Sequence, residues 1–129
     1  DALIGLDAWV EPIDEVEINK GLTIPSLFIR SESWEVGENN EHLYDLYLSS
    51  SDNTYLYQID ETTHYDFAMV YMYSPLTNHI GFSGSIDDKY LIDILKTMIT
   101  DFFDNALRND AFSEINVDTW DEVSLIEIE

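Results

Sequence analysis

The sequence predicts an α/β fold: about three parallel strands with flanking helices, forming a portion of a larger sheet. Three observations predict it. Short apolar runs at 2–6, 24–32 and 54–60 alternate with helical patterns, which is the pattern of parallel strands joined by crossovers. The runs are apolar nearly throughout, as in strands covered on both faces, rather than at every second position. Three such strands alone would leave two long apolar edges, so the sheet is expected to continue beyond this chain.

Each element follows from local composition. "ALIGL" (2–6) reads as a buried strand ending at Asp7. Residues 7–21 are polar and carry Pro12 and Gly21, so they read as a long loop. "IPSLFIRSE" (24–32) is a second buried strand, with Pro25 tolerated at its start. "NNEHLYDLYLSS" (39–50) places Leu43, Leu46 and Tyr47 near helical spacing behind an asparagine cap. "SSSDN" is a turn cluster, and "TYLYQID" (54–60) is a third strand rich in β-formers. A short helix is expected over 65–75, ended by Pro75. The longest helix carries Ile86, Tyr90, Leu91, Ile94, Leu95, Met98, Ile99, Phe102, Phe103 and Ala106 on one broad face. Ser85 and Asp88 suggest a capping box at its start. The tail, 108–129, is acidic, and "EVSLIEIE" alternates like an edge strand.

The 129 residues make one domain or a large piece of one, 45% apolar and 13% aromatic, which is enough for a sizeable core. Five basic residues face 27 acidic ones, for a formal charge of −22. That field repels phosphates and anionic lipid surfaces, so nucleic acid is not an expected partner. It suits a high-salt environment, where ions screen self-repulsion. No apolar run is long enough for a transmembrane segment. Without cysteine, disulfides, thiolate metal sites and cysteine nucleophiles are excluded, and the compartment, secreted or cytoplasmic, stays open. The chain opens directly on a strand, with no initiator Met and no signal peptide. Upstream sequence is therefore expected to have been removed, or another chain to supply it.

Asp7, Glu32 and His64 each stand just past a strand. In an open parallel sheet those positions share one rim, where ligands gather. A carboxylate beside a histidine fixes the tautomer and stabilises the imidazolium. The order acid-then-histidine is that of hydrolases in which serine comes first. Taken alone, His64 in a strand-to-helix loop reads more often as structural, and Asp7 as a loop cap.

"GLDAWVEP", "IPSLFIRSESW" and "TTHYDFAMVY", followed by "ILKTMITDFFDNAL", resemble the last portion of the type II platelet-activating factor acetylhydrolase family, over nearly all of residues 2–107. Members are α/β-hydrolases that cleave short or oxidised acyl esters from phospholipids, with lipase-like relatives. The resemblance implies that residues 1–129 are the C-terminal portion of a single α/β-hydrolase domain. It implies Asp7 as catalytic acid and His64 as catalytic base, with Glu32 as the rival acid. It also implies an ester or phospholipid-like substrate and no cofactor. The nucleophile elbow, G-x-S-x-G, belongs upstream of Asp7 and is not in this chain. "GFSGS" (81–85) has serine where the last glycine is needed and follows the histidine, so it reads as a loop and helix cap. The nucleophile and the oxyanion hole are expected from the missing N-terminal portion or a partner chain of the same fold; a homo-oligomer is a further option.

Other residues carry blander readings. Trp9 reads equally as pocket lining or packing anchor, Thr63 as a pocket residue, and Trp34 as structural. His42 and His79 read as solvated. Asp60, Glu61 and Asp66 read as surface charges or a helix N-terminal acid. The aromatic stretch 65–73 reads as core. The acidic clusters at 11–17 and 118–122 read as solvated faces; no calcium loop is present, and three scattered histidines make no zinc site. Two non-hydrolase alternatives stand beside this one: a non-catalytic acidic binding or regulatory module that kept a partial hydrolase fold, and an acidic DNA mimic or inhibitor.

Overall fold

The computed structural model describes residues 1–34, 36–69, 72, 76, 79–108 and 114–127. The elements run β1 (Leu3–Leu6), α1 (Glu15–Ile18), β2 (Ser26–Ser31), α2 (Asn39–Ser49), β3 (Thr54–Ile59), α3 (His64–Phe67), α4 (Asp88–Arg108) and β4 (Val123–Leu125). They build one mixed sheet in the order β1-β2-β3-β4. β1, β2 and β3 are parallel, and β4 adds antiparallel to β3.

Strand alternation decides which helix each residue meets. Leu27, Ile29, Tyr57 and Ile59 point to one face, where Leu91, Ile94, Leu95, Met98 and Phe102 of α4 cover them. Phe28 and Leu56 point to the other, against Leu43, Leu46 and Tyr47 of α2 and Ile18 of α1. Both faces are thus buried, each large side chain contributing roughly 1.5–3 kcal/mol by leaving water. β1 is less enclosed than its apolar run suggests: Leu3 is exposed and Ile4 to Leu6 are half-buried. Its outer side has no partner strand among the described residues. An apolar groove of about 560 Å³ lies beside it, lined by Leu3, Ile4, Ile13 and Phe28 among others.

Several local expectations are corrected. The loop 7–21 contains a turn of helix, α1, capped by Asp14, whose Oδ1 accepts from the Val16 amide at 2.8 Å. α4 begins at Asp88, and its cap is Asp87, whose Oδ1 accepts from the amides of Lys89 and Tyr90 at 3.0 Å. Ser85 instead donates to Glu61. α3 stops at Phe67, because Met69 takes a left-handed conformation (φ 55); the rest of the helix expected through Pro75, apart from Met72, lies outside the described residues. Tyr65, Met69 and Met72 are exposed and Phe67 is buried, so the 65–73 stretch is only partly core. The edge strand in the tail is present as β4; residues 128–129 lie outside the described residues. Among the described residues, no helix is long and apolar enough to cross a membrane.

Tyr57 lies in the centre of the α4-side core, its hydroxyl donating to the Ile115 carbonyl at 3.3 Å. Burial, reinforced by the negative charge of Glu114, pushes its ionisation well above the ordinary tyrosine value of 10.0. The folded protein therefore holds this proton to higher pH than the unfolded chain does. The stability this contributes is whole below about pH 10 and is lost as pH rises further. Denaturant titrations from about pH 8 to about pH 11 should show this alkaline loss. Tyr57→Phe should cost about 1 kcal/mol at neutral pH and make the alkaline loss shallower; equal slopes in the two proteins would contradict the assignment.

Candidate active site

Parallel strands end at one rim, and three of those ends converge here. Asp7 follows β1, Ser31 closes β2, and Thr62 to His64 follow β3. Asp7 is in the left-handed region (φ 46), which aspartate tolerates better than most residues at a cost of about 1–3 kcal/mol. Its amide donates to the Ile29 carbonyl at 2.7 Å, carrying the β1–β2 ladder one step past the strand.

The Asp7 carboxylate is 3% exposed and has three donors. Oδ1 accepts from the Ser31 amide at 2.9 Å, and Oδ2 accepts from the Ser31 hydroxyl at 2.8 Å. Oδ2 also accepts from His64 Nδ1 at 2.8 Å, across 57 positions of chain. A carboxylate can only accept, so in the neutral ring this contact puts the proton on Nδ1 and leaves the lone pair on Nε2. Among the described residues nothing hydrogen-bonds Nε2, and the side chain is 37% exposed. The pair therefore leaves Nε2 open at the rim, with Nδ1 anchored to the buried Asp7 carboxylate.

The histidine loop is braced from inside. Asp66 is buried, and its Oδ2 accepts from the Thr63 amide at 2.7 Å and the Gly84 amide at 2.8 Å. It is a helix N-terminal acid, but not a surface charge. The "GFSGS" loop packs against this turn: a Cβ on Gly84 would stand 1.9 Å from the Glu61 carbonyl oxygen. The Thr63 hydroxyl is 3.1 Å from Asp66 Oδ2 and 3.2 Å from the Phe82 carbonyl.

Glu32, the rival acid, is turned to another task. Its Oε2 accepts from the Glu61 amide at 2.7 Å, where Glu61 is left-handed (φ 60). Ser33 N–H donates to the Thr62 carbonyl at 3.2 Å, so the loop after β2 is laced to the loop after β3. Trp34 follows in that loop, and its ring stacks on His64 with centroids 3.9 Å apart and planes 21° from parallel.

Trp9 is 63% exposed on the loop after Asp7. That loop is held by Asn39: Oδ1 accepts from the Val10 amide at 2.7 Å and the Glu11 amide at 3.0 Å, and Nδ2 donates to the Ala8 carbonyl at 3.2 Å. Asn39 therefore does not cap α2, although it opens it. His79 is exposed; His42 is only 15% exposed, with Nε2 3.8 Å from Glu38, so it is not a solvated residue. Among the described residues no three His, Asp or Glu side chains gather as metal ligands.

Sequence reasoning missed Ser31, Asn39 and Trp34. Ser31 had a usable signal, since it adjoins Glu32 at the same rim; Trp34 had none, because its partner is met by stacking, and Asn39 had none, because its targets are 28 to 31 positions away.

The family described as "Platelet-activating factor acetylhydrolase, isoform II" matches residues 2–125. No curated protein sequence matches the chain. Among solved structures, the ferulic acid esterase from Streptomyces cinnamoneus superposes with a TM-score of 0.74 at 17% identity, over 98% of this chain and 40% of that one. At such identity the likeness speaks for fold alone, which is that of the α/β-hydrolases, and the chain spans about 40% of the esterase's length. With the family matched over nearly all of its length, the chain belongs to the platelet-activating factor acetylhydrolase, isoform II, family.

Proposed function

We propose that this chain carries the acid and the base of a serine carboxylic-ester hydrolase, acting on acyl esters such as short-acyl phospholipids. The observation that carries the reading is the 2.8 Å bond between Asp7 Oδ2 and His64 Nδ1 at the rim of the parallel strands. Family membership and the likeness to an esterase support the same class of chemistry.

In this mechanism a serine from outside these 129 residues attacks the ester carbonyl carbon. His64 Nε2 takes the hydroxyl proton, and Asp7 stabilises the imidazolium so formed. The tetrahedral intermediate collapses, the C–O bond to the alcohol breaks, and the alcohol leaves with the proton from His64. Water then attacks the acyl-enzyme, giving a proton to Nε2. Release of the carboxylic acid returns that proton to serine. The serine and the oxyanion hole are supplied by a segment of the same fold lying along β1, either N-terminal in the complete protein or on a second chain. The outer side of β1, which pairs with no strand among the described residues, and the 40% coverage of the esterase support that placement.

In the full-length protein, turnover of a short-chain p-nitrophenyl ester should fall by on the order of 10⁴-fold or more in His64→Ala and by on the order of 10⁴-fold in Asp7→Asn, with the fold intact by circular dichroism. Undiminished turnover in His64→Ala would remove the catalytic assignment. Ser31→Ala leaves the Ser31 amide on Asp7 and deletes only the hydroxyl bond. It should lower kcat about ten-fold, the equivalent of one lost hydrogen bond to a charged group. A larger effect than Asp7→Asn would show that Ser31 does more than hold the carboxylate.

A further inference from the structure

We infer that Trp34 is a positioning residue whose indole face holds the His64 ring and stabilises its protonated form; this rests on the catalytic reading of His64. The stack is close and nearly parallel, at 3.9 Å and 21°. One edge of the imidazole is already fixed by Asp7 through Nδ1. With the indole on one face, the ring cannot tilt about its long axis without losing either the stack or the carboxylate. Tyr65 meets the imidazole edge-on, at 6.2 Å and 64°, and leaves the stacked face to Trp34 alone among the described aromatic contacts.

The indole is itself held from both sides of its loop. The Trp34 carbonyl accepts from Asn40 Nδ2 at 3.1 Å. Just before it, the Ser33 amide and the Glu32 carboxylate are tied to Thr62 and Glu61, the residues that lead into His64. The platform and the ring it supports are therefore built on one laced pair of loops. Ser31, the last residue of β2 before that loop, clamps Asp7. A four-residue segment thus supports both members of the pair while contributing no acid of its own to it.

The face of an indole carries negative π density and attracts a cation. In the proposed mechanism the His64 ring gains positive charge as it takes the serine proton, so the attraction grows on the way to the transition state. An interaction of that kind is expressed in kcat and leaves KM alone. A tryptophan that merely packed would affect stability and not this split.

The test uses the full-length protein with fluorinated tryptophans placed at position 34 only, since fluorine drains the π face while nearly preserving shape. Across that series kcat for the p-nitrophenyl ester should fall stepwise to about one-tenth, with KM and melting temperature unchanged. Trp34→Phe should stay within about three-fold of the parent and Trp34→Met should lose about ten-fold. A constant kcat across the fluorinated series overturns the inference, whether or not the methionine variant folds. If His64→Ala abolishes turnover while the series is flat, only the role of Trp34 falls; if His64→Ala is fully active, the catalytic reading falls and takes this one with it.

Discussion

A single hydrogen bond, Asp7 Oδ2 to His64 Nδ1, organises the rim of this molecule. Its two ends are far apart in the chain, and only the parallel register of β1, β2 and β3 brings them together. Parallel strands share a direction, so the loops that follow them share an edge. Shift β1 by one residue against β2 and the Asp7 amide loses the Ile29 carbonyl, the carboxylate loses both Ser31 donors, and the histidine loses its anchor. The cores on the two faces of the sheet are what hold that register, because a one-residue slip would turn every core side chain to the wrong face.

The backbone strain at the rim has the same origin. Asp7 and Glu61 both adopt left-handed conformations. Each is tied where it turns: Asp7 by the Ile29 carbonyl and its own buried carboxylate, Glu61 by the Glu32 carboxylate on its amide. Strain of this kind persists only where surrounding bonds over-determine it. Here those bonds come from the end of β2 and the loop that follows it: Ile29 and Ser31 hold Asp7, and Glu32 holds Glu61. Asp66 supplies the corresponding brace on the inner side, linking Thr63 to Gly84.

The large features were legible in the sequence because they rest on periodicity and on strand ends. Apolar runs marked β1, β2 and β3, the stripe from Leu91 to Phe102 marked α4, and the residue just past each strand marked Asp7 and the neighbourhood of His64. What was illegible depends on contacts distant in sequence. Asn39 looked like a helix cap, yet its amide holds the loop at Ala8 to Glu11. Glu32 and Asp7 were chemically equivalent candidates until the carboxylate of Glu32 was seen on the Glu61 amide. Trp34 looked structural because stacking leaves no trace in spacing. The start of α4 at Asp88 and the single turn of α1 turn on which of several adjacent Asp, Glu and Ser residues faces a free amide, a choice that propensity alone does not make.

The tautomer of His64 tests the central pairing most directly. ¹⁵N-resolved NMR of the histidine rings, recorded where the His64 ring is neutral, should show its proton on Nδ1, with a strongly downfield resonance from its bond to Asp7, and an unprotonated Nε2. That resonance should vanish in Asp7→Ala while the other two histidines keep their signals. A proton found on Nε2, or a His64 spectrum unchanged by Asp7→Ala, would contradict the account.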